Sequence, residues 1–194
     1  MPFGETSQMK INMGDALLRN AQRFPKKLAI ADGRLRLTHL DLQLRTSRLG
    51  NYFLRQGVCP GDRVALSCGN RAEHLEIIFA LAKIGVAAVP FDCHWSLQEY
   101  EMMINFFEPK AFVIEERKGT TDVCNLALDR LGPKRVLAID GTSHKTAIPY
   151  EEAIAAALPD QPRIEVAGNE SFIIMITSGT TGFPKGCLAT QRTF

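Results

Sequence analysis

Near the end of the chain, Thr177 to Gly186 reads TSGTTGFPKG: three Thr, three Gly, a Ser, a Pro and a Lys behind an apolar run. Gly179, Gly182 and Gly186 allow the backbone to turn with positive φ and let a ligand approach the amides. Ser178, Thr180 and Thr181 add hydroxyl donors, and Lys185 adds a mobile positive charge. Converging donors of this kind suit an anion, most readily a polyphosphate, at about 1.5–3 kcal/mol for each charge-assisted bond. The spacing is neither G-x-x-x-x-G-K-[ST] nor G-x-G-x-x-G, because Pro184 precedes Lys185 and Gly186 takes the Ser/Thr place. The same composition also describes a plain turn after a strand, so both readings stand on these residues alone.

Other candidates are weaker. Cys93, His94 and Trp95 adjoin, but a Cys next to a His in sequence is expected to point away from it, and Trp95 is expected in the core. Cys187 is expected as a packed thiol. His39, His74 and His144 are isolated and lack the spacing of metal ligands, so no metal site is assigned. Five cysteines, odd in number and without a CxxC, argue against a disulfide framework or a zinc site and suit a reducing cytosol.

Elements must position the Gly/Thr loop. A helix is expected from Asp15 to Phe24, with Ala16, Leu17 and Phe24 inward, then a hairpin turning at Asp32-Gly33. Thr38 with Asp41 caps a helix carrying Leu42, Leu49 and Phe53 that stops at Gly57. Strands then alternate with helices: strand 63–67, helix from Asn70 and Glu73 to Ile84, strand 86–89, helix capped by Ser96 and Glu99, strand 111–114, helix 122–131, strand 135–139. Glu151 to Leu158 reads as helix and 159–169 as a surface connection. SFIIMIT, Ser171 to Thr177, reads as a strand buried on both faces, so the loop leaves the carboxyl end of a buried strand, where open α/β sheets bind ligands. The fold class is α/β, a mostly parallel sheet flanked by helices on both faces.

The bulk properties exclude several classes. The chain has 194 residues, 45% hydrophobic and 23% charged, with net charge +2, too little to argue for nucleic acid or an anionic membrane. MPFGETSQMKINMG lacks the apolar stretch of a signal peptide, and the apolar run Ile77 to Ala82 is broken by Lys83, far short of a membrane span. A cytoplasmic protein is expected.

ITSGTTGFPKG resembles the phosphate-loop signature of the adenylate-forming (AMP-binding) superfamily, which includes acyl-CoA synthetases, peptide-synthetase adenylation domains and luciferases. The stretch from Arg36 to Asp92 also resembles that family's amino-terminal region, with its Gly-Val-x-x-Gly-Asp-x-Val core at 57–64, Asn-x-x-Glu at 70–73, and the Ala-x-x-Lys-x-Gly run closing on Val89-Pro90. Departures are His39 where Tyr is common, Gln191 where a His usually follows Thr190, and Phe91-Asp92-Cys93 after the Val-Pro run.

The resemblance implies that residues 1–194 are the amino-terminal part of the adenylation domain, ending just after the phosphate loop, with the carboxy-terminal domain absent. It implies ligase chemistry: a carboxylic acid attacks the α-phosphorus of ATP with Mg²⁺, releasing pyrophosphate, and a thiol, most often coenzyme A, then displaces AMP. Thr177, Ser178, Gly179, Thr180, Thr181, Gly182 and Lys185 would hold the phosphates, with Lys185 the catalytic residue. A fragment of this kind is expected to be inactive alone and to self-associate through surface exposed by the truncation, and its end, LATQRTF, is expected to begin a helix. Three readings stay open: part of an acyl-CoA synthetase of fatty acid metabolism, an adenylation domain loading a carrier protein, or a non-catalytic nucleotide- or partner-binding module.

Overall fold

Asn12 opens the first helix, α1 (Met13–Arg23), by accepting the Gly14 amide on its side-chain oxygen at 2.7 Å. This computed structural model describes residues 12–117, 119–141, 146–177 and 184–193. Leu17 and Ala21 face inward from α1, but Phe24, expected inward, is 50% exposed, because the chain leaves the helix there and its ring lies beneath the Lys27 ammonium instead. The hairpin forms as β1 (Leu28–Ala31) and β2 (Arg36–Thr38). Asp32 Oδ1 accepts the amides of Leu35 and Arg34 across the turn, and these bonds hold its carboxyl down at about 2. Thr38 and Asp41 form the reciprocal capping box of α2 (His39–Arg55), whose Leu42, Leu49 and Phe53 are buried as the spacing predicts.

Seven strands make the main sheet: β3 (Arg63–Ser67), β4 (Ala87–Pro90), β5 (Ala111–Glu115), β6 (Val136–Ile139), β7 (Ile148–Pro149), β8 (Ser171–Thr177) and β9 (Lys185–Thr190), in the order β7-β6-β5-β3-β4-β8-β9. All neighbours are parallel except the last pair, where β9 returns antiparallel to β8. Helices α3 (Ala72–Ala82), α4 (Leu97–Phe107), α5 (Thr121–Leu131) and α6 (Tyr150–Ala155) lie between the strands. Alternation along each strand divides two cores. Leu66, Val113 and Leu137 join Leu49, Phe53, Ile77, Leu81 and Tyr150 on one face. Ala65, Phe112 and Val136 join Tyr100, Met103, Phe107 and Val123 on the other. Apolar side chains on both faces are the signature of a parallel sheet covered twice.

Three expectations change. Helix α3 is not capped by Asn70; Arg71 is its N-cap, without a side-chain cap bond, and the Glu73 carboxylate is taken up by the Arg71 guanidinium while Asp32 Oδ2 accepts the Ala72 amide at 2.8 Å. Strand β8 is buried on both faces only around Phe172 and Ile173; Met175 is 45% exposed. Its register with β4 centres on Ala88 and Ile173, whereas its pairing with β9 runs on to Thr177, so the far half lies outside the doubly covered sheet. Residues Leu188 to Thr190 continue β9 rather than opening a helix, because the ladder to β8 claims their backbone, and a turn follows in which Thr193 N donates to Thr190 O.

Candidate functional site

Thr177 and Lys185 form the pair at the open end of the β8–β9 ladder. The Thr177 hydroxyl donates to the Lys185 carbonyl at 3.3 Å, and both residues are exposed. Among the described residues Lys185 has no ion-pair partner, so its ammonium is available to an anion. Ser178, Gly179, Thr180, Thr181 and Gly182 lie outside the described residues. Gly186 follows at a close approach: a Cβ there would stand 2.8 Å from Ile174 Cγ2 and 3.1 Å from the Phe107 ring. Only a residue without a side chain lets β9 lie this tightly over the end of α4.

The outer end of the hairpin is tied to the helical layer by groups that sequence reasoning missed. Gln191, completely buried, accepts the Met13 amide at 3.1 Å and donates to the Ala82 carbonyl at 3.0 Å, while its own amide donates to Glu170 O. Lys83 is buried between α2 and the segment leading to β8. Its ammonium donates to Gln43 Oε1 at 2.7 Å, Ser47 Oγ at 2.9 Å and Gln161 Oε1 at 3.3 Å, all neutral oxygens. Burial pushes its pKa down to about 7, against a small opposing pull from Asp15. The signal for this knot was present in the sequence, where Lys83 interrupts an otherwise apolar run.

At the carboxyl ends of β3, β5 and β6, the chain reverses direction across the sheet, the place where open sheets usually bind ligands. Here Arg71 fills it. Its guanidinium holds Glu73 with two bonds at 2.7 Å, Glu115 at 3.0 Å and Asp140 at 2.6 Å, and Glu115 also accepts the Gly69 amide. Cys68 nearby is pushed up to about 12 by burial, with Glu115 adding to it, so it stays a thiol. These groups satisfy one another and brace the strand ends.

Two cysteine expectations are overturned. Cys93 Sγ does lie 3.6 Å from His94 Nδ1, because the Asp92 carboxylate accepts both the His94 amide and its Nδ1 and folds the ring back over the turn. Cys187 is exposed, because β9 is the edge strand of the sheet among the described residues. Trp95 is half-buried against Phe91 and Tyr100, in line with a core role.

Hydroxyl and ammonium groups at Thr177 and Lys185 are matched to phosphate oxygens rather than to a metal. Mg²⁺ takes carboxylate, phosphate and water oxygens. Neither residue has a carboxylate among its described contacts, so a magnesium ion here would be held through the phosphates.

Comparison with known proteins agrees with this architecture. The chain is 35% identical over 168 residues to YdaB of Bacillus subtilis, provisionally named an acyl-CoA ligase, covering 84% of this chain and 32% of that protein. A crystal structure from Rhodopseudomonas palustris, provisionally named a long-chain-fatty-acid CoA ligase, superposes with a TM-score of 0.82 at 30% identity, over 95% of this chain and 46% of that one. ATP-bound MatB of the same organism superposes at a TM-score of 0.77 and 25% identity, over 94% of this chain and 35% of that one. The chain therefore spans about a third of the length of the curated relatives it matches. The family model described as AMP-binding enzyme matches residues 17–194, and the chain belongs to that family.

Proposed function

We propose that this chain supplies the phosphate-holding part of an AMP-forming acid–thiol ligase, an acyl-CoA synthetase. The observation that carries the reading is the β8–β9 hairpin: Thr177 and Lys185, the latter without an ionic partner among the described residues, flank a Gly/Thr/Ser sequence, on a fold shared with acyl-CoA ligases. A carboxylate is a poor electrophile, and making it an acyl-adenylate requires charge to leave on pyrophosphate. Donors fixed around the β- and γ-phosphates stabilise that charge as it develops. In this reading Thr177, Ser178, Gly179, Thr180, Thr181, Gly182 and Lys185 hold the phosphates, and Lys185 provides the catalytic positive charge. Mg²⁺, bound through the phosphates, would neutralise part of the same charge, and coenzyme A would accept the acyl group.

Spanning a third of its relatives' length, the 194-residue chain offers one wall for ATP and is inactive by itself on this proposal. The cytosol is the compartment that suits its substrates. Exposed apolar side chains on the two faces of the β8–β9 hairpin, Met175 on one and Leu188 on the other, would drive self-association when left uncovered. Acid-dependent ATP–pyrophosphate exchange tests the assignment, using fatty and aromatic acids with this chain and with the longest polypeptide the source cells make from it. Exchange by the longer polypeptide alone is expected. Exchange by neither sinks the ligase reading, and exchange by the 194-residue chain sinks its inactivity.

A further inference from the structure

The turn after β4 brings three different metal-ligating groups together. Asp92, Cys93 and His94 are consecutive, yet a carboxylate oxygen, the thiol sulfur and an imidazole nitrogen all lie within 4.8 Å of one another. His94 Nδ1 is 3.6 Å from Cys93 Sγ and 3.0 Å from Asp92 Oδ1. The turn is held from outside the cluster. Phe91 N donates to Leu66 O at 2.8 Å, Trp95 N donates to Asp92 O at 3.2 Å, and the Arg117 guanidinium donates to the Cys93 carbonyl.

We propose that Asp92, Cys93 and His94 form a three-ligand site for a thiophilic divalent cation of the zinc class. The edges of a tetrahedral zinc site follow from its bond lengths. With Zn–S of about 2.3 Å and Zn–N and Zn–O of about 2.1 Å, the S···N edge is about 3.6 Å and the N···O edge about 3.4 Å. The first matches the structure, and the second needs His94 to swing outward by a few tenths of an ångström. His94 is 83% exposed on its side chain and free to make that movement. Charge also balances. Carboxylate, thiolate and neutral imidazole carry two negative charges against the cation's two positive ones, with the thiol proton released to solvent and the imidazole proton held on Nε2. Water completes the fourth position. A sulfur ligand beside nitrogen selects zinc-like ions over Mg²⁺, so this site is separate in chemistry from the phosphate hairpin.

The test is direct binding of Zn²⁺ to chelator-stripped protein by calorimetry, with Co²⁺ as a spectroscopic probe. The site predicts one zinc per chain and a near-ultraviolet sulfur-to-cobalt charge-transfer band. Cys93→Ser removes the band, and Cys93→Ser and His94→Ala each weaken zinc by more than about tenfold, since even outer-shell partners are worth about that much. Cys59→Ser and Cys187→Ser, at the two exposed thiols elsewhere, leave both signals unchanged. Circular dichroism checks that each variant folds. No zinc binding by the wild-type chain, or equal binding by Cys93→Ser and His94→Ala, overturns the proposal.

Discussion

The Thr177 hydroxyl donates to the Lys185 carbonyl across the last pair of the β8–β9 ladder, at 3.3 Å. The bond joins the two ends of the Gly/Thr loop and leaves the Lys185 side chain projecting from an edge strand without an ionic partner among the described residues. Lys185→Ala therefore deletes a charge and no described contact of the fold. Stability is expected to change by no more than a surface substitution allows, about 0.5 kcal/mol, while adenylate formation by the full polypeptide slows at least about tenfold. Single-turnover adenylation rates, set beside thermal melts, check both halves. An unchanged rate would remove Lys185 from the mechanism.

Gly186 is next in line, and its substitution should do the opposite. Gly186→Ala puts a Cβ 2.8 Å from Ile174 Cγ2 and 3.1 Å from the Phe107 ring, so either β9 lifts or Phe107 moves. A stability loss of about 1–3 kcal/mol is expected from overpacking. Gly186→Ala combined with Phe107→Leu should recover part of it in a denaturant titration. No loss in the single variant would mean that β9 does not lie as closely as the structure places it.

Lys83 makes stability depend on pH in an unusual direction. Its folded pKa is about 7 and its unfolded value about 10.4, so between those values the unfolded chain binds the extra proton. Stability should rise as pH increases from about 7, because the cost of burying a charged ammonium is present below 7 and is relieved above it. The informative window is pH 7 to 8.5. Beyond it the Cys68 thiol, about 12 folded and about 8.5 unfolded, contributes with the opposite sign. Thermal melts across this window should show the rise in the wild-type chain and a flatter profile in Lys83→Met. Identical slopes would contradict the assignment.

A buried ion pair joins three helices. Arg45 on α2 holds Glu76 on α3 and Glu151 on α6, and Tyr150 donates to Glu76 Oε2 at 3.1 Å. Glu76 is completely buried, and burial keeps its carboxyl above the usual range in spite of Arg45. Arg45→Met leaves that carboxylate unpaired, at a cost of about 3–5 kcal/mol near neutral pH. The deficit should shrink as pH falls, because a carboxyl raised by burial takes up a proton earlier than an ordinary one. Adding Glu76→Gln should recover most of it, and chemical denaturation of the single and double variants measures both effects.

Much of this was legible in the sequence. The capping boxes at Thr38–Asp41 and Ser96–Glu99 form as read, since each is completed within four residues. Alternating strands and helices produced the parallel sheet, because apolar runs such as Ala111 to Ile114 have room only between two helical layers. What could not be read depends on partners distant in sequence. The exposure of Met175 follows from how far β8 overruns β4, and the placement of Gln191 follows from Met13 and Ala82, more than a hundred residues earlier. The folded-back His94 ring depends on one carboxylate two residues away, a local contact that pattern reading passes over.

The phosphate assignment of the hairpin is tested most directly by titrating ATP and pyrophosphate into the chain and its Lys185→Ala variant, following the amide resonances of Thr177 and Lys185. Both ligands are expected to shift those resonances, and the variant to bind about tenfold more weakly, the loss of one charge-assisted contact. Equal affinity in the two proteins, or shifts confined to residues far from Thr177 and Lys185, would contradict it.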